Sequence, residues 1–357
     1  MKKTFFTPGP TQLFPTVANH LQTALRKNVL EISHRSKVFE QIYQNAVQRL
    51  KDFYYIPDDY QIFFLASGTE AMERIIENSV DKTSFHFING AFSKRFAETT
   101  KELGKKVFAN EMPAGQDFDY EVSIPIEAEL ICFTQNETSI GYQIEPKNIL
   151  KIAKKYPDKL IAVDVVSSAP YPNLNFSKLD YVFFSVQKCF GLPAGLGVLI
   201  ISPRAIIKAK QLNKKNINIG SYHNLLSLLK YGAKNQTPDT PNVLNIYLLG
   251  QVLKDFQLIG LDAIRKQLET KAAIVNKLVE QNDFYKFFVK NPNARSKTVF
   301  VLEIVGNSKV IINHLADKGF IIGSGYKEFK QTQIRIANFP ATTIKQMTQL
   351  VKELDIY

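Results

Sequence analysis

The most informative segment of the chain is Phe183-Phe184-Ser185-Val186-Gln187-Lys188-Cys189-Phe190-Gly191-Leu192-Pro193-Ala194-Gly195-Leu196-Gly197. Its apolar start predicts a buried strand, and the glycines and proline that follow predict a turn, which puts Lys188 at a strand's carboxyl end. A lysine attacks a carbonyl carbon only as the neutral amine, and burial among apolar groups lowers the lysine pKa. Lys188 is therefore a candidate covalent catalyst, and a surface lysine beside a turn is the ordinary alternative.

An acidic residue ends the preceding strand-like run. Asp164 closes the apolar segment Leu160–Asp164, one crossover before the strand that leads to Lys188. A buried carboxylate is unfavourable unless a cation pairs with it, although Asp164 taken alone could also cap a helix. An aspartate and a lysine on successive strand ends predict a shared ligand site.

A third candidate element is the turn Ser67-Gly68-Thr69, which lies between an apolar run and a helical segment. Backbone amides at that helix start, helped by the hydroxyls of Ser67 and Thr69, could hold a phosphate. The same turn followed by Glu70 is also a good helix N-cap. Both interpretations stay open at this point.

The chain alternates short β-branched or aromatic runs with helical segments from Tyr60 to Ile201. This alternation predicts a mostly parallel sheet with helices on both faces and ligands beyond the carboxyl ends of its strands. After Pro241, two long helical stretches, 243–258 and 262–281, lead into a smaller α+β region. A length of 357 residues also favours a large and a small domain over a single core.

Composition excludes several classes of protein. The net charge is +12, but the basic residues are scattered pairs such as Lys105-Lys106, so we expect no nucleic-acid partner. The two cysteines and five histidines lack ligand spacing, so we expect neither a disulfide nor a metal. No apolar run approaches the roughly 20 residues of a membrane span. Pro8 interrupts any signal-peptide core, and we expect a cytoplasmic protein without membrane contact.

Six segments follow one another in a family's order along nearly the whole chain. They are Thr7-Pro8-Gly9-Pro10-Thr11, Ser33-His34-Arg35, Gln135-Asn136-Glu137-Thr138, Val186-Gln187-Lys188, Pro193-Ala194-Gly195-Leu196 and Thr240-Pro241. Together they resemble the class V aminotransferases, and among these the phosphoserine aminotransferases. The resemblance implies an α/β, fold-type I pyridoxal-phosphate transferase that works as a homodimer with shared active sites. It also implies a large domain over residues 15–250 with a mostly parallel seven-stranded sheet, and a small α+β domain from residues 1–14 and 251–357.

The resemblance implies a role for several residues toward pyridoxal phosphate. Lys188 would form the Schiff base, Asp164 would contact the pyridine nitrogen, Phe92 would stack on the ring and Thr138 would bond the ring hydroxyl. The implied phosphate contacts are Ser67, Gly68, Thr69 and Gln187, joined by Asp239 and Thr240 of the neighbouring subunit. Relatives carry Asn in place of Asp239, and because a carboxylate facing a phosphate is unfavourable, Thr240 is the better candidate.

The resemblance further implies small anionic amino-acid and 2-oxo-acid substrates. Arg335 resembles the arginine that grips the substrate α-carboxylate, a role that suits its planar fork. His34 and Arg35 resemble residues that reach the substrate phosphate across the dimer interface. The chain departs from the family where a His-Arg pair is usual, because Tyr326 and Lys327 stand there instead. Lys327 is a candidate for the missing arginine, whereas Tyr326 cannot act as the histidine.

The implied reaction is amino-group transfer between O-phosphoserine and 2-oxoglutarate, as in serine biosynthesis. The alternative is a class V enzyme of the serine/alanine–glyoxylate type, which needs no phosphate selectivity. A cysteine desulfurase is disfavoured because no cysteine follows Cys189. A non-catalytic binding protein is disfavoured because Asp164 and Lys188 are both present.

Overall fold

The computed structural model describes residues 3–357, which form two main β-sheets, a short hairpin and the helices around them. The strands are β1 (Thr4–Phe6), β2 (Gln61–Leu65), β3 (Thr83–Ile88), β4 (Lys106–Glu111), β5 (Leu130–Thr134), β6 (Asn136–Glu137), β7 (Tyr142–Gln143), β8 (Leu160–Asp164), β9 (Tyr181–Ser185), β10 (Gly197–Ile201), β11 (Tyr285–Phe287), β12 (Val299–Ile304), β13 (Phe320–Ser324) and β14 (Gln333–Ala337). The α-helices are α1 (Val17–Arg26), α2 (Lys37–Tyr54), α3 (Gly68–Ser79), α4 (Ala91–Glu102), α5 (Pro146–Lys155), α6 (Pro203–Lys214), α7 (Leu225–Gly232), α8 (Val243–Ile259), α9 (Leu261–Gln281), α10 (Ser308–Asp317) and α11 (Ile344–Leu354). Short 3-10 helices cover Val29–Glu31, Phe176–Lys178, Pro292–Ala294 and Lys327–Gln331.

The larger sheet has seven strands in the order β2-β10-β9-β8-β5-β3-β4. All neighbours pair in parallel except β10, which runs antiparallel to both β2 and β9. The strands β3, β5, β8, β9 and β10 are buried along their whole length, as expected for a sheet covered on both faces. The predicted mostly parallel seven-stranded sheet is therefore confirmed.

Side chains of alternate strand positions enter two separate apolar cores. Along β2, Ile62 and Phe64 pack in one core, whereas Phe63 and Leu65 pack in the other with the helices α3 and α6. This alternation follows from the two-residue period of a strand, which sends successive side chains to opposite faces. The sheet is thus held between two helical layers.

The smaller sheet has five strands in the order β1-β13-β14-β12-β11. Its first strand comes from the start of the chain, since Thr4–Phe6 pair in parallel with the segment 320–322. The helices α9, α10 and α11 cover one face of this sheet through a third apolar core. The domain limits at residues 14–15 and 250–251 remain our proposal.

No helix among residues 3–357 is both long enough and apolar enough to cross a membrane.

Candidate active site

A cavity of about 190 Å³ lies beyond the carboxyl ends of β2, β3, β5, β8 and β9. These ends meet because the strands are parallel, and β2 joins them since β10 is antiparallel to both β2 and β9. The cavity is lined by Ser67, Gly68, Thr69, Met72, Phe92, Asn136, Thr138, Asp164, Val166, Ser167, Ser185, Gln187 and Lys188. The fold thus gathers eight of the predicted site residues around one space, namely Ser67, Gly68, Thr69, Phe92, Thr138, Asp164, Gln187 and Lys188.

Lys188 follows β9 and carries a perturbed amine. Its Nζ donates a 2.6 Å hydrogen bond to the carbonyl oxygen of Pro8, and it lies 6.0 Å from the ring centroid of Phe92. Burial, followed by the positive charge of Arg335, lowers the pKa of Lys188 to about 8. A substantial share of the neutral amine is therefore present near neutral pH. The sequence motif at residues 7–11 gave no hint that Pro8 would contact this amine.

Asp164 is the last residue of β8, the strand that pairs with β9, and it is 3% exposed. Its Oδ1 accepts a 2.7 Å hydrogen bond from the Val166 amide. Burial raises the pKa of Asp164 to about 7, while Lys188 acts in the opposite direction. Within residues 3–357, Asp164 Oδ2 accepts no hydrogen bond, so the carboxyl group retains binding capacity on the cavity side.

The turn from β2 into α3 is closely packed. The Gly68 amide donates a 2.8 Å hydrogen bond to Ser185 Oγ, and a Cβ on Gly68 would lie 2.7 Å from Val166 Cγ2. Ser67 Oγ accepts from the Glu70 amide, so Ser67 is the N-cap of α3. The capping and the ligand interpretations are compatible, because the turn that caps the helix also lines the cavity.

Several polar side chains line the cavity, and two of their atoms lack a protein partner. Thr138 Oγ1 donates to Ser167 Oγ at 2.6 Å, and Asn136 Nδ2 donates to the same oxygen at 2.8 Å. The buried oxygens Asn136 Oδ1 and Gln187 Oε1 have no hydrogen-bond partner in the described part of the chain. Since buried polar atoms normally find partners, these two oxygens indicate a polar ligand.

Glu137 is a functional residue that the sequence analysis did not single out, although it stands inside the segment 135–138. Its fully buried carboxylate accepts from the Phe92 and Ser93 amides at 3.0 and 2.8 Å, and from the hydroxyls of Ser93 and Ser139. A Cβ on Gly90 would lie 2.3 Å from Glu137 Cγ, which explains the glycine. Glu137 therefore fixes the start of α4 and, with it, the position of Phe92.

Arg335 approaches from the smaller sheet, on β14. Its Nε donates a 2.8 Å hydrogen bond to the carbonyl oxygen of Ser324, and its guanidinium lies 5.3 Å from the ring centroid of Tyr326. Burial lowers the pKa of Arg335, although Tyr326 and Glu137 act against that. Among residues 3–357 no carboxylate forms an ion pair with Arg335, so its Nη donors are available for a carboxylate ligand.

Besides Arg335 and Lys327, four predicted residues lie outside the cavity lining, namely His34, Arg35, Asp239 and Thr240. Arg35 donates to Gln236 Oε1, to the Thr237 carbonyl oxygen at 2.6 Å and to the Pro238 carbonyl oxygen at 3.1 Å. These bonds place Arg35 next to the loop that carries Asp239 and Thr240. The pair His34–Arg35 and the pair Asp239–Thr240, distant in sequence, therefore form one cluster within the chain.

Asp239 also has a partner that the sequence did not indicate. His223 Nε2 lies 2.7 Å from Asp239 Oδ1, and His223 Nδ1 lies 2.5 Å from Glu70 Oε1 in the first turn of α3. Burial disfavours the charged ring, but the hydrogen bonds to Glu70 and Asp239 outweigh it and raise the pKa of His223. These two hydrogen bonds therefore favour the protonated ring of His223 beside the carboxylate at position 239.

Lys327, the last predicted residue, lies at the exposed rim of the 3-10 helix Lys327–Gln331. Its Nζ is 6.0 Å from the ring centroid of Tyr326. The ring of Tyr326 also lies 5.8 Å from that of Phe92. Tyr326 thus links the rim of the site to Phe92 and to Arg335, a position that the sequence analysis did not foresee.

Comparison with known proteins identifies the family. Residues 4–335 match the class-V aminotransferase family. A crystal structure of a phosphoserine aminotransferase from Cytophaga hutchinsonii is 47% identical, with a TM-score of 0.97 over 99% of this chain and 98% of that chain. The phosphoserine aminotransferase of Lactococcus lactis subsp. cremoris is 28% identical over 98% of each chain.

A more distant structure shares the fold. The alanine–glyoxylate aminotransferase of Nostoc sp. is 18% identical, with a TM-score of 0.80 over 100% of this chain and 96% of that chain. At that identity the likeness concerns architecture alone. The family match over residues 4–335, taken with the cavity at the strand ends, leads to one assignment: the chain belongs to the class V aminotransferases.

Proposed function

We propose that the chain is a pyridoxal-phosphate-dependent transaminase that exchanges the amino group between O-phosphoserine and 2-oxoglutarate. The observation that carries this proposal is the convergence of Lys188, Asp164 and Phe92 on one cavity. The 47% identity to a phosphoserine aminotransferase over nearly the whole chain supports the choice of substrate. We also propose that the enzyme works in the cytoplasm.

The cavity residues fit pyridoxal phosphate on three observations. Asp164 is a buried carboxyl group with a free oxygen, suited to a protonated ring nitrogen. The oxygens of Gln187 and Asn136 lack protein partners, and Gly68 has no Cβ where the cavity meets the start of α3. Lys188 would hold the cofactor through its amine, Phe92 would stack on the ring, and Thr138 would bond a ring substituent. When bound, the cofactor supplies an electron sink for the pair left at the substrate Cα.

Lys188 has two tasks in this proposal. Its neutral amine would hold the cofactor, and as a free amine Lys188 Nζ would take the proton from the substrate Cα and later return a proton. A pKa of about 8 suits both tasks, because the amine can accept and release a proton near neutral pH. The Pro8 carbonyl accepts the Nζ hydrogen and keeps the amine at the cavity.

Asp164 and Glu137 support the reaction without touching the substrate. Asp164 gains a cationic partner when the ring nitrogen is protonated, which stabilises its ionised form inside the protein. Glu137 holds the amides of Phe92 and Ser93, so that the aromatic ring keeps its place over the cavity. The site is therefore organised before any ligand arrives.

Arg335 would bind the α-carboxylate that all amino-acid and 2-oxo-acid substrates share. Its Nε is occupied by the Ser324 carbonyl oxygen, so the two Nη groups form the edge offered to a ligand. No arginine lines the described cavity, and Lys188 is its one basic side chain within residues 3–357. The phosphate-binding charge must then come from elsewhere.

We propose that this charge comes from a second subunit in a homodimer. The cluster of His34, Arg35, Asp239 and Thr240 lies outside the cavity lining of its own chain. Thr240 and Asp239 would reach the cofactor phosphate of the neighbouring site, and His34 and Arg35 would reach the substrate phosphate. A protonated His223 ring, which the hydrogen bonds to Glu70 and Asp239 favour, would make a carboxylate tolerable near a phosphate.

Two measurements test this proposal. The purified protein loaded with pyridoxal phosphate is reduced with borohydride and digested, and the cofactor should map to Lys188, with no attachment in Lys188→Ala. Attachment at another lysine would contradict the assignment. Kinetics with phosphoserine and serine then separate the substrates. Tyr326 and Lys327 replace the family's His-Arg pair, so phosphate selectivity needs a direct test. If the enzyme used phosphoserine and serine equally well, the serine/alanine–glyoxylate alternative would be favoured.

A further inference from the structure

Two cations lie against one aromatic ring at the mouth of the site. The guanidinium carbon of Arg335 is 5.3 Å from the Tyr326 ring centroid, and the Lys327 Nζ is 6.0 Å from the same centroid. Both distances fall within the range of cation–π attraction. The ring itself is braced by Phe92 at a centroid distance of 5.8 Å and an interplanar angle of 47°.

The orientation of Arg335 follows from two contacts. Ser324 accepts from its Nε at 2.8 Å, while the Tyr326 ring lies against the guanidinium. With one donor bound and the ring beside it, the guanidinium cannot swing freely, and its Nη edge keeps one direction. A carboxylate needs that edge for two parallel hydrogen bonds.

Lys327 is held at the same ring by an unusual backbone. Its φ of 48° lies in the left-handed region, which non-glycine residues rarely adopt. Strained backbone of this kind persists where the surrounding structure fixes it, often at binding sites. The backbone conformation and the cation–π contact together place the exposed Lys327 ammonium at the same ring that Arg335 contacts.

We propose that Tyr326 is a specificity-determining residue: its ring spaces the Arg335 and Lys327 cations so that the site prefers amino and 2-oxo acids with two anionic groups. Arg335 takes the α-carboxylate, and Lys327 adds its charge to that of His34 and Arg35 at the distal phosphate or carboxylate. This inference rests on the proposed function for the role of Arg335. It gives Tyr326 a task that differs from that of the histidine usual in the family.

The test compares a dicarboxylate with a monocarboxylate on the holoenzyme. Calorimetry gives the Kd of glutarate and of butyrate for the wild type, Tyr326→Phe, Tyr326→Leu and Tyr326→Ala. The Leu and Ala variants should bind butyrate roughly tenfold more weakly and glutarate more weakly still, because cation–π contacts of about 0.5–2 kcal/mol are lost at both cations. The Phe variant keeps the ring and should stay within about twofold of the wild type for both ligands.

Matched controls separate this role from a purely structural one. Tyr55→Ala removes a tyrosine that is 83% exposed and far along the chain, and it should leave both affinities unchanged. Lys327→Ala should weaken glutarate but not butyrate. Thermal unfolding of each variant confirms that it is folded, and Tyr326→Leu keeps apolar volume if the Ala variant is unstable.

Three results would overturn the proposal. Unchanged affinities in Tyr326→Leu would remove any role of the ring, and an equal loss in Tyr326→Phe would assign the effect to the hydroxyl group. A loss that is the same for butyrate and glutarate would leave Tyr326 acting on Arg335 alone. The glutarate and butyrate affinities of the Tyr326 variants could change as expected in a holoenzyme that does not transaminate phosphoserine. In that case the proposed function fails, and the inference that Tyr326 spaces the two cations stands.

Discussion

Lys188 Nζ donates its 2.6 Å hydrogen bond to the carbonyl oxygen of Pro8, a residue 180 positions earlier in the chain. The next residue, Gly9, has a φ of 138°, and a Cβ at that position would lie 2.4 Å from Lys188 Nζ. The segment around Pro8 therefore packs directly on the amine, and only glycine permits the contact. Because β1 ends at Phe6 and pairs with β13, the smaller sheet holds this segment in place.

Gly9→Ala should displace Lys188 and weaken cofactor attachment. The new methyl group would overlap the amine and would also strain the backbone, at a cost of about 1–3 kcal/mol in unfolding free energy. Urea denaturation and the rate of cofactor incorporation measure the two effects. Gly104→Ala is the control, since Gly104 also has a positive φ, 71°, but has nothing within 4 Å of an added Cβ. Equal behaviour of the two variants would show that the contact with Lys188 has no consequence.

Asp164→Asn should change the pH dependence of stability in the cofactor-free protein. The pKa of Asp164 is raised to about 7 in the folded state, against 3.8 in an unfolded chain, so the folded state binds the extra proton between these values. The stability that Asp164 contributes is complete below pH 3.8 and is lost as the pH rises to about 7. Thermal unfolding from pH 4 to pH 8 should show this decline in the wild type and a smaller one in Asp164→Asn. Identical profiles would contradict the shift.

Glu137→Gln should loosen the start of α4. The amide nitrogen of glutamine cannot accept from the Phe92 and Ser93 amides, which leaves buried donors unpaired at a cost of about 1–3 kcal/mol each. We expect a lower unfolding midpoint and a higher Kd for pyridoxal phosphate, measured by fluorescence titration. Glu121→Gln, which removes a carboxylate that is 68% exposed, should change neither value. A normal cofactor Kd in Glu137→Gln would mean that the position of Phe92 does not depend on the hydrogen bonds to Glu137.

The variants Arg335→Ala and Arg35→Ala should lose activity toward different sets of substrates. Arg335→Ala should reduce kcat/KM for every amino donor, because the lost carboxylate contact is worth roughly 2–5 kcal/mol. Arg35→Ala should reduce kcat/KM for phosphoserine much more than for glutamate, since only phosphoserine carries the phosphate that Arg35 would hold. Steady-state kinetics with both donors check this difference. A uniform loss in Arg35→Ala would point instead to a structural role, through the Thr237 and Pro238 carbonyl oxygens.

His223→Gln should destabilise the protein more at low pH than at high pH. Because hydrogen bonds to Glu70 and Asp239 raise the pKa of His223 above 6.5, its contribution is complete below pH 6.5 and is lost as the pH rises through the folded-state value. Unfolding at pH 6 and at pH 9 measures the effect. Asp239→Asn removes one of the two carboxylates and should show a smaller effect with the same sign. A variant equally destabilised at both pH values would indicate that the ring is neutral.

The sequence determined the large sheet and the residues at its carboxyl edge. Apolar runs that end in Asp164 or lead to Lys188 are local patterns, and parallel strands bring such ends together whatever the details of packing. The turn Ser67–Thr69 was accessible for the same reason, because it follows a recognisable strand, whereas Phe92 and Thr138 were named only through the family resemblance. The ordered motifs also carried the family assignment, which the match over residues 4–335 confirmed.

The distant groups that contact these residues and shift their pKa values became visible only in the folded chain. Pro8 reaches Lys188 through strand pairing, Glu137 reaches Phe92 across 45 positions, and His223 reaches Glu70 across 153. Such contacts have no local sequence pattern, because a single hydrogen bond or ring contact imposes no periodicity on the chain. The pKa values of Lys188 and Asp164 depend likewise on burial by the whole fold, which no local segment encodes.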